Sequence, residues 1–366
     1  MSNRGSVVIA AVLLLLVSCA LAEGPVPARF DFEQSELSGA WTTTAPEGKL
    51  AITRDRANVR EGRGALELTW EATEGRLAIV SVGPVSFEGR PRSLRLSVKL
   101  SEQAPVMYGV GEANGVSYQG YLYTPGGIWH DLEISLRDLM LSEGCIDPSG
   151  RLDVREIDTI TIGDLSNISG ESGEALGIKS GRQQMWIDNV ELSEELAPSR
   201  SSRGRDGEII IDDFKREPIL CLPIGAPRLS LVEGPGDDDT SALRVDYQRG
   251  GHRWVGFVGA VGHLNLSGKS RICLRVRAEE EAPLQMVLEE RNGAKYVARH
   301  RLDPSKGWYE VRLPFDRFTL DPQTPDDNGR LDLESLRVII PVVDSRRAEL
   351  GEGGQGAWEL SRIWVE

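Results

Sequence analysis

The sequence predicts an all-β protein: two tandem β-sandwich (jelly-roll) domains behind an N-terminal signal sequence. Three observations predict it. First, the chain repeats itself at domain scale. Gly150-Arg151-Leu152-Asp153-Val154 returns as Gly329-Arg330-Leu331-Asp332-Leu333, an offset of 179 residues. Trp129 and Trp308, Ala104-Pro105 and Ala282-Pro283, Asn114-Gly115 and Asn292-Gly293, and Asp31-Phe32 and Asp213-Phe214 keep nearly the same spacing. Such an offset is far beyond the ~20–50 residues of a solenoid unit and matches a whole domain. Second, segments such as Leu94-Arg95-Leu96-Ser97-Val98-Lys99-Leu100 alternate apolar and polar residues, as half-buried strands do. Third, helical periodicity is nearly absent, and Gly, Pro and Asn punctuate the strands.

Residues 1–22 form a leader, with Arg4 before an apolar run from Val7 to Val17. Two cleavage readings follow. Ala20-Leu21-Ala22 is an ordinary signal-peptidase site, whereas Leu16-Val17-Ser18-Cys19 has the pattern of a bacterial lipobox, in which Cys19 is lipidated. The run is too short to span a bilayer, which takes ~20 apolar residues. Losing Arg4 takes the 42 basic residues to 41 against 56 acidic ones, a net charge of −15. That charge argues against nucleic acid as a partner, and against membrane except through a lipid on Cys19.

The first repeat runs over 29–194 and the second over 208–366. Between them 195–207, rich in Ser, Arg and Gly, has no apolar periodicity and is a linker. Ala65–Trp70 and its counterpart Ala242–Tyr247 alternate as strands. Leu132, Ile134 and Leu136 make one apolar face, matched by Val311, Leu313 and Phe315. Leu152–Ile157 and Leu331–Leu336 are short enough for one helical turn each. At about 160 residues per copy, a jelly roll is favoured over an immunoglobulin-type domain of about 100. Three cysteines follow the leader, an odd number that excludes full pairing. Cys273 lies in an apolar strand. Cys145 and Cys221, one per repeat in loop-like sequence, leave an interdomain disulfide open.

Each repeat has an opening Asp-Phe strand, a Gly/Ala-Leu-x-Leu strand, a Trp-x-x-Leu/Val-x-Ile/Leu strand and a Gly-Arg-Leu-Asp turn. The first closes on Trp186-Ile187-Asp188-Asn189-Val190-Glu191-Leu192. In these features the chain resembles the galactose-binding-like β-jelly-roll superfamily, which includes many carbohydrate-binding modules. The resemblance covers nearly the whole mature chain. It implies a structural calcium in the first domain only, held by Asp31, Glu33, the loop Arg60–Gly64 and Asp188. Calcium takes six to eight oxygen ligands, which carboxylates and carbonyls supply. The second repeat departs from this set, with Lys215 opposite Glu33 and Ser361 opposite Asp188.

A three-residue hairpin loop at each Asn-Gly places Val106, Tyr108, Val110, Tyr118 and Leu122 in the core. The opposite face then carries Gln119, Tyr121 and Tyr123 beside Met107, Gly109 and Gly111, a shallow trough with an aromatic wall. Aromatic rings with hydrogen-bonding neighbours suit the C–H faces and hydroxyl rims of sugars. The same face of the second repeat carries Arg299 and Arg301 beside Gln285, Val287 and Glu289, with Trp254 as an added platform, a charged surface for an acidic glycan or for none. The four histidines have no metal-ligand spacing, and no nucleophile elbow or phosphate loop is present. Glu112 and Glu290 flank equivalent turns, and each would need a second carboxylate ~5–9 Å away for glycoside hydrolysis, a distance that sequence does not supply. The sequence therefore favours a non-catalytic, extracytoplasmic protein that binds oligo- or polysaccharide. A structural protein with protein partners and a small polysaccharide-active enzyme are the alternatives.

Overall fold

The computed structural model describes residues 26–45, 47–168, 176, 179–236, 239–346 and 353–366. The leader and Cys19 lie outside them. The chain divides between Ser199 and Arg200 into two compact units. Each is a β-sandwich of the jelly-roll kind, and each repeats the same strand order.

In the first domain, one sheet runs in the order Met140–Leu141, Ser117–Thr124, Ala104–Glu112, Ile157–Asp164, Ala78–Val82, Trp41–Thr43. It holds the Asn-Gly hairpin and is called the hairpin sheet. The other runs His130–Ser135, Ser93–Leu100, Gly181–Ser193, Ala65–Ala72, Lys49–Thr53, with Arg29–Phe30 paired to the far end of Gly181–Ser193. It holds the closing strand and is called the closing sheet. The second domain repeats the hairpin sheet as Thr319–Leu320, Lys295–Leu302, Ala282–Glu290, Leu336–Asp344, Trp254–Ala260, Leu222–Ile224. In its closing sheet, Gln355–Val365 lies between Asp239–Gln248 and Arg271–Ala278.

The alternating residues do what their pattern requires. Leu66, Leu68, Leu94, Val98 and Leu100 point inward and are buried, as are Leu243, Val245, Ile272, Leu274 and Val276 of the second domain. Each such side chain contributes roughly 1.5–3 kcal/mol by leaving water. The expected hairpin register is also present. Leu288 pairs with Tyr296, Met286 with Ala298 and Leu284 with His300; in the first domain Val110 pairs with Tyr118 and Val106 with Leu122. Gly115 and Gly293 close the loops at φ 89° and 87°, where a side chain would be strained.

Both domains share the same internal wiring. Oε1 of Glu112 accepts the Asp153 N–H at 2.8 Å, and Oε1 of Glu290 accepts the Asp332 N–H at 2.6 Å. These bonds pin each Gly-Arg-Leu-Asp segment to its hairpin. The segments are hydrogen-bonded turns rather than helix, with Glu156 N–H donating to the Asp153 carbonyl and Ser335 N–H to that of Asp332. Tyr118 donates its hydroxyl to Asp147, and Tyr296 donates to Asp326 in the same way. All three described cysteines are free thiols. The Cys273 thiol is buried, which pushes its pKa up to about 12.

Candidate functional site

The outer face of the first hairpin sheet carries small residues at its centre and is largely covered: Ser81, Met107, Gly109, Gln119, Tyr121 and Gly163 are buried, and Gly111 and Thr161 are half-buried. Gly109, Gly111 and Gly163 lie on adjacent strands, with Gly109 opposite Thr161 and Gly163 opposite Met107. All point away from the core, because Tyr108, Val110, Ile160 and Ile162 take the inward positions. Gln119 and Tyr121 border the strip, the Gln119 amide donating to the Tyr121 hydroxyl at 3.0 Å. Ser81 and Thr161 border the other side, their hydroxyls 3.4 Å apart. A Cβ added at Gly111 would make ordinary van der Waals contact with Thr159 Cβ at 3.4 Å, whereas one at Gly109 would run into the Tyr118 carbonyl and one at Gly163 into the Ile79 side chain.

The aromatic wall differs from expectation. Tyr121 is 7% exposed and Tyr123 only 1%. The register and the facing are as expected, but Tyr123 is a packing residue and not an accessible ring. Strand alternation fixes the direction of a side chain, and the neighbours decide how much of it meets water. Gln119, Tyr121, Gly109 and Gly163 are buried as well, so Gly111, half-buried beside Thr161, is the part of the predicted trough that remains open.

In the second domain the equivalent positions are filled. Val287, Glu289 and Val342 stand where the first domain has Gly109, Gly111 and Gly163. Glu289 is buried and paired with both Arg337 and Lys295, the latter at 3.5 Å. Arg301 is exposed and ion-paired with Glu281, and Arg299 is exposed. Trp254 faces away from the core as expected and is half-buried. The Arg253 guanidinium sits 4.9 Å from its ring centroid and reaches Asp344 at 3.2 Å. The platform is therefore already occupied by a cation.

The expected calcium residues meet around the loop Arg60–Gly64. Asp188 is fully buried. Its Oδ2 accepts the Arg60 and Glu61 N–H groups at 3.0 and 3.1 Å, and its Oδ1 accepts that of Asn189 at 2.8 Å. Glu33 Oε1 accepts the Arg63 and Gly64 N–H groups at 2.6 and 3.2 Å. Asp31 is exposed and accepts the Glu33 N–H at 3.2 Å. The loop thus presents amide donors, not carbonyls, to these carboxylates. Among the described residues no three Asp, Glu, His or Cys side chains come together as a metal cage. Burial raises the Asp188 pKa despite its amide donors, and no described cation pairs with it.

The second domain treats the same place differently. Ser361, opposite Asp188 in the repeat, is buried and donates to Asp239 Oδ2 at 3.4 Å. Arg275, at the position of Ser97, reaches the same oxygen at 2.9 Å. A half-buried guanidinium therefore pairs with the buried acid of this junction. Sequence reasoning missed Arg275 and Asp239. Aligning Leu94–Leu100 with Ile272–Ala278 would have shown Ser97 replaced by a cation. Lys215 pairs instead with its neighbour Asp213 at 3.1 Å.

No protein-family model and no curated protein matches the sequence. Among solved structures, the chain is similar to the family 11 carbohydrate-binding module of the cellulase Lic26A-Cel5E of Clostridium thermocellum. That match has 17% identity and a TM-score of 0.34, covering 48% of this chain and 98% of the module. The tandem CBM22-1-CBM22-2 domain of Paenibacillus barcinonensis Xyn10C matches at 12% identity and a TM-score of 0.29, over 94% of this chain and 100% of that one. The agarase AgWH50C matches at 10% identity and a TM-score of 0.33, over 46% of this chain and 26% of the agarase. These likenesses concern the β-sandwich fold alone.

Proposed function

We propose that this is a non-catalytic, extracytoplasmic glycan-binding protein whose first domain carries the site for a neutral saccharide. It is either held at the membrane by a lipid on Cys19 or released after Ala22. The observation that carries the reading is the Gly109, Gly111 and Gly163 strip beside Gln119 and Tyr121, whose counterparts in the second domain are filled. A pyranose ring needs a flat surface for its C–H face and fixed hydrogen-bonding groups for its hydroxyls. The strip offers the first around Gly111, and the half-buried Thr161 hydroxyl, backed by the buried Ser81 and Gln119, offers the second. Glu112 and Glu290 support the non-catalytic reading, since each is committed to a backbone N–H of its turn.

A glycan array on the mature chain, followed by titration calorimetry, tests this. Gly111→Val adds a side chain whose Cβ meets Thr159 only at ordinary contact distance, so the fold should persist while neutral-glycan affinity falls at least tenfold. Binding that survives Gly111→Val, or no neutral glycan bound at all, would sink the proposal.

A calcium ion in the first domain is part of the proposal and rests on Asp188, a buried acid without the cation that Arg275 supplies in the second domain. Asp188, Glu33 and Asp31 would hold it, and the loop amides would have to release the first two. The ion would neutralise the junction and stiffen the loop.

A further inference from the structure

We propose that the first domain has a second binding site, a groove for an acidic saccharide formed by Arg90, Arg92 and Arg137. The class of ligand rests on the glycan reading above; the anion requirement rests on the groove itself. The groove has a volume of about 560 Å³ and is lined by these three residues together with Pro91, Leu136, Val154 and Glu194.

The backbone beneath the arginines is fixed. Arg92 N–H donates to the Ser193 carbonyl at 2.7 Å, and Leu136 N–H donates to the Arg92 carbonyl at 3.0 Å. Arg90 N–H donates to Glu194 Oε1 at 3.2 Å, which engages the one acid of the lining. Arg137 follows in the single 3₁₀ turn Leu136–Asp138. All three arginines are exposed, and among the described residues none of their guanidiniums has an ion-pair partner. In a chain with 56 acidic residues this contrasts with Arg60, which pairs with Asp131, and Arg95, which pairs with Glu133 and Glu195.

The second domain shows that the charges are not needed for the fold. It keeps the same bond, Phe315 N–H to the Ser270 carbonyl at 3.0 Å. By that match Ser270 stands for Arg92 and Asp316 for Arg137, and Gly268 falls at the place of Arg90. The scaffold is common and the three cations belong to one copy.

Three guanidinium forks over a floor of Pro91, Leu136 and Val154 suit a ligand with both an apolar face and fixed anionic groups. A sugar bearing carboxylates or sulfate esters has both, and guanidinium pairs with either through two parallel hydrogen bonds. A concave groove takes a chain rather than a flat bilayer, which favours a saccharide over anionic lipid.

Native affinity electrophoresis of the mature chain tests the proposal, in gels containing a polyuronate, a sulfated polysaccharide or a neutral β-glucan. Retardation in at least one acidic gel is expected, weakening as salt is raised because exposed charges are screened; which acidic gel retards identifies the anion. Arg92→Ser with Arg137→Ala should reduce that affinity at least tenfold and leave neutral-glycan binding intact. Gly111→Val should do the reverse, so the two sites fail separately. Arg299→Ala, an equal loss of exposed charge in the second domain, should change nothing. No retardation in either acidic gel, an equal loss with Arg299→Ala, or flotation with phosphatidylglycerol vesicles without polysaccharide binding would overturn it.

Discussion

The two domains agree where the backbone needs a side chain and disagree where only a surface is at stake. Glu112 and Glu290 hold the same turn, Tyr118 and Tyr296 reach equivalent acids, and the Asn-Gly loops close identically. The outer face of the hairpin sheet carries glycines in one copy and Val287, Glu289 and Val342 in the other. The junction by the closing strand carries a buried acid in one and Ser361 with Arg275 in the other. The shared set therefore marks folding requirements, and the unshared set marks what has been free to acquire a ligand.

The largest test of this division is at a position where the copies differ. Tyr123 corresponds to Arg301. Tyr123→Ala should cost the first domain roughly 3–5 kcal/mol, as for other fully buried aromatics. Arg301→Ala should stay within about 0.5 kcal/mol, because exposed ion pairs contribute little. Urea unfolding of each domain measures both. A small effect at Tyr123 would restore it as a ligand-facing ring.

Next is the shared acid. Glu290→Ala leaves the Asp332 N–H without its acceptor and should cost about 2 kcal/mol. Burial raises the folded pKa of Glu290 above the ordinary glutamate value. The folded domain thus holds a proton that the unfolded chain releases. The stability this group contributes is full below the unfolded pKa and is lost as pH rises through the folded pKa. Melting wild type and Glu290→Gln across that window should show the extra downward slope only in wild type. Parallel curves would refute a buried carboxyl there.

Smaller still, Tyr118→Phe and Tyr296→Phe should each cost about 1.5 kcal/mol, the value of a hydrogen bond to a carboxylate. Equal losses would confirm a shared folding role, and a loss in one domain alone would break the pairing. The smallest effect concerns calcium. With a dissociation constant of roughly 0.1–1 mM, about 1 mM calcium would stabilise the first domain by roughly 0.4–1.4 kcal/mol. Asp188→Ala should abolish that shift, and the second domain should show none. A melting temperature unmoved by chelator in both domains would mean that the amides of Arg60 and Glu61 suffice for Asp188.

Much of this was legible in the sequence. The duplication, the strand faces and the hairpin register follow from spacing and two-residue periodicity, and Asn-Gly specifies its loop. The trough was legible only in part. Alternation told which way Tyr121 and Tyr123 point, but their coverage depends on neighbours from other strands. The Arg275–Asp239 pair joins residues 36 apart with two strands' worth of chain between them, and nothing local announces it. The three-arginine groove joins Arg92 to Arg137 through the backbone bond between Arg92 and Leu136, a juxtaposition that only the folded sheet creates.

In both domains the opening strand lies against the closing one: Arg29–Phe30 pairs with Val190 and Glu191, and Ile209–Asp212 pairs with Ile363 to Val365. Each domain therefore takes in the chain and gives it back at the same end of its closing strand. A unit built this way can be copied in tandem, inserted into a host loop or circularly permuted without rethreading its sheets. Duplication would then have cost no new topology, leaving the two copies free to diverge at their surfaces.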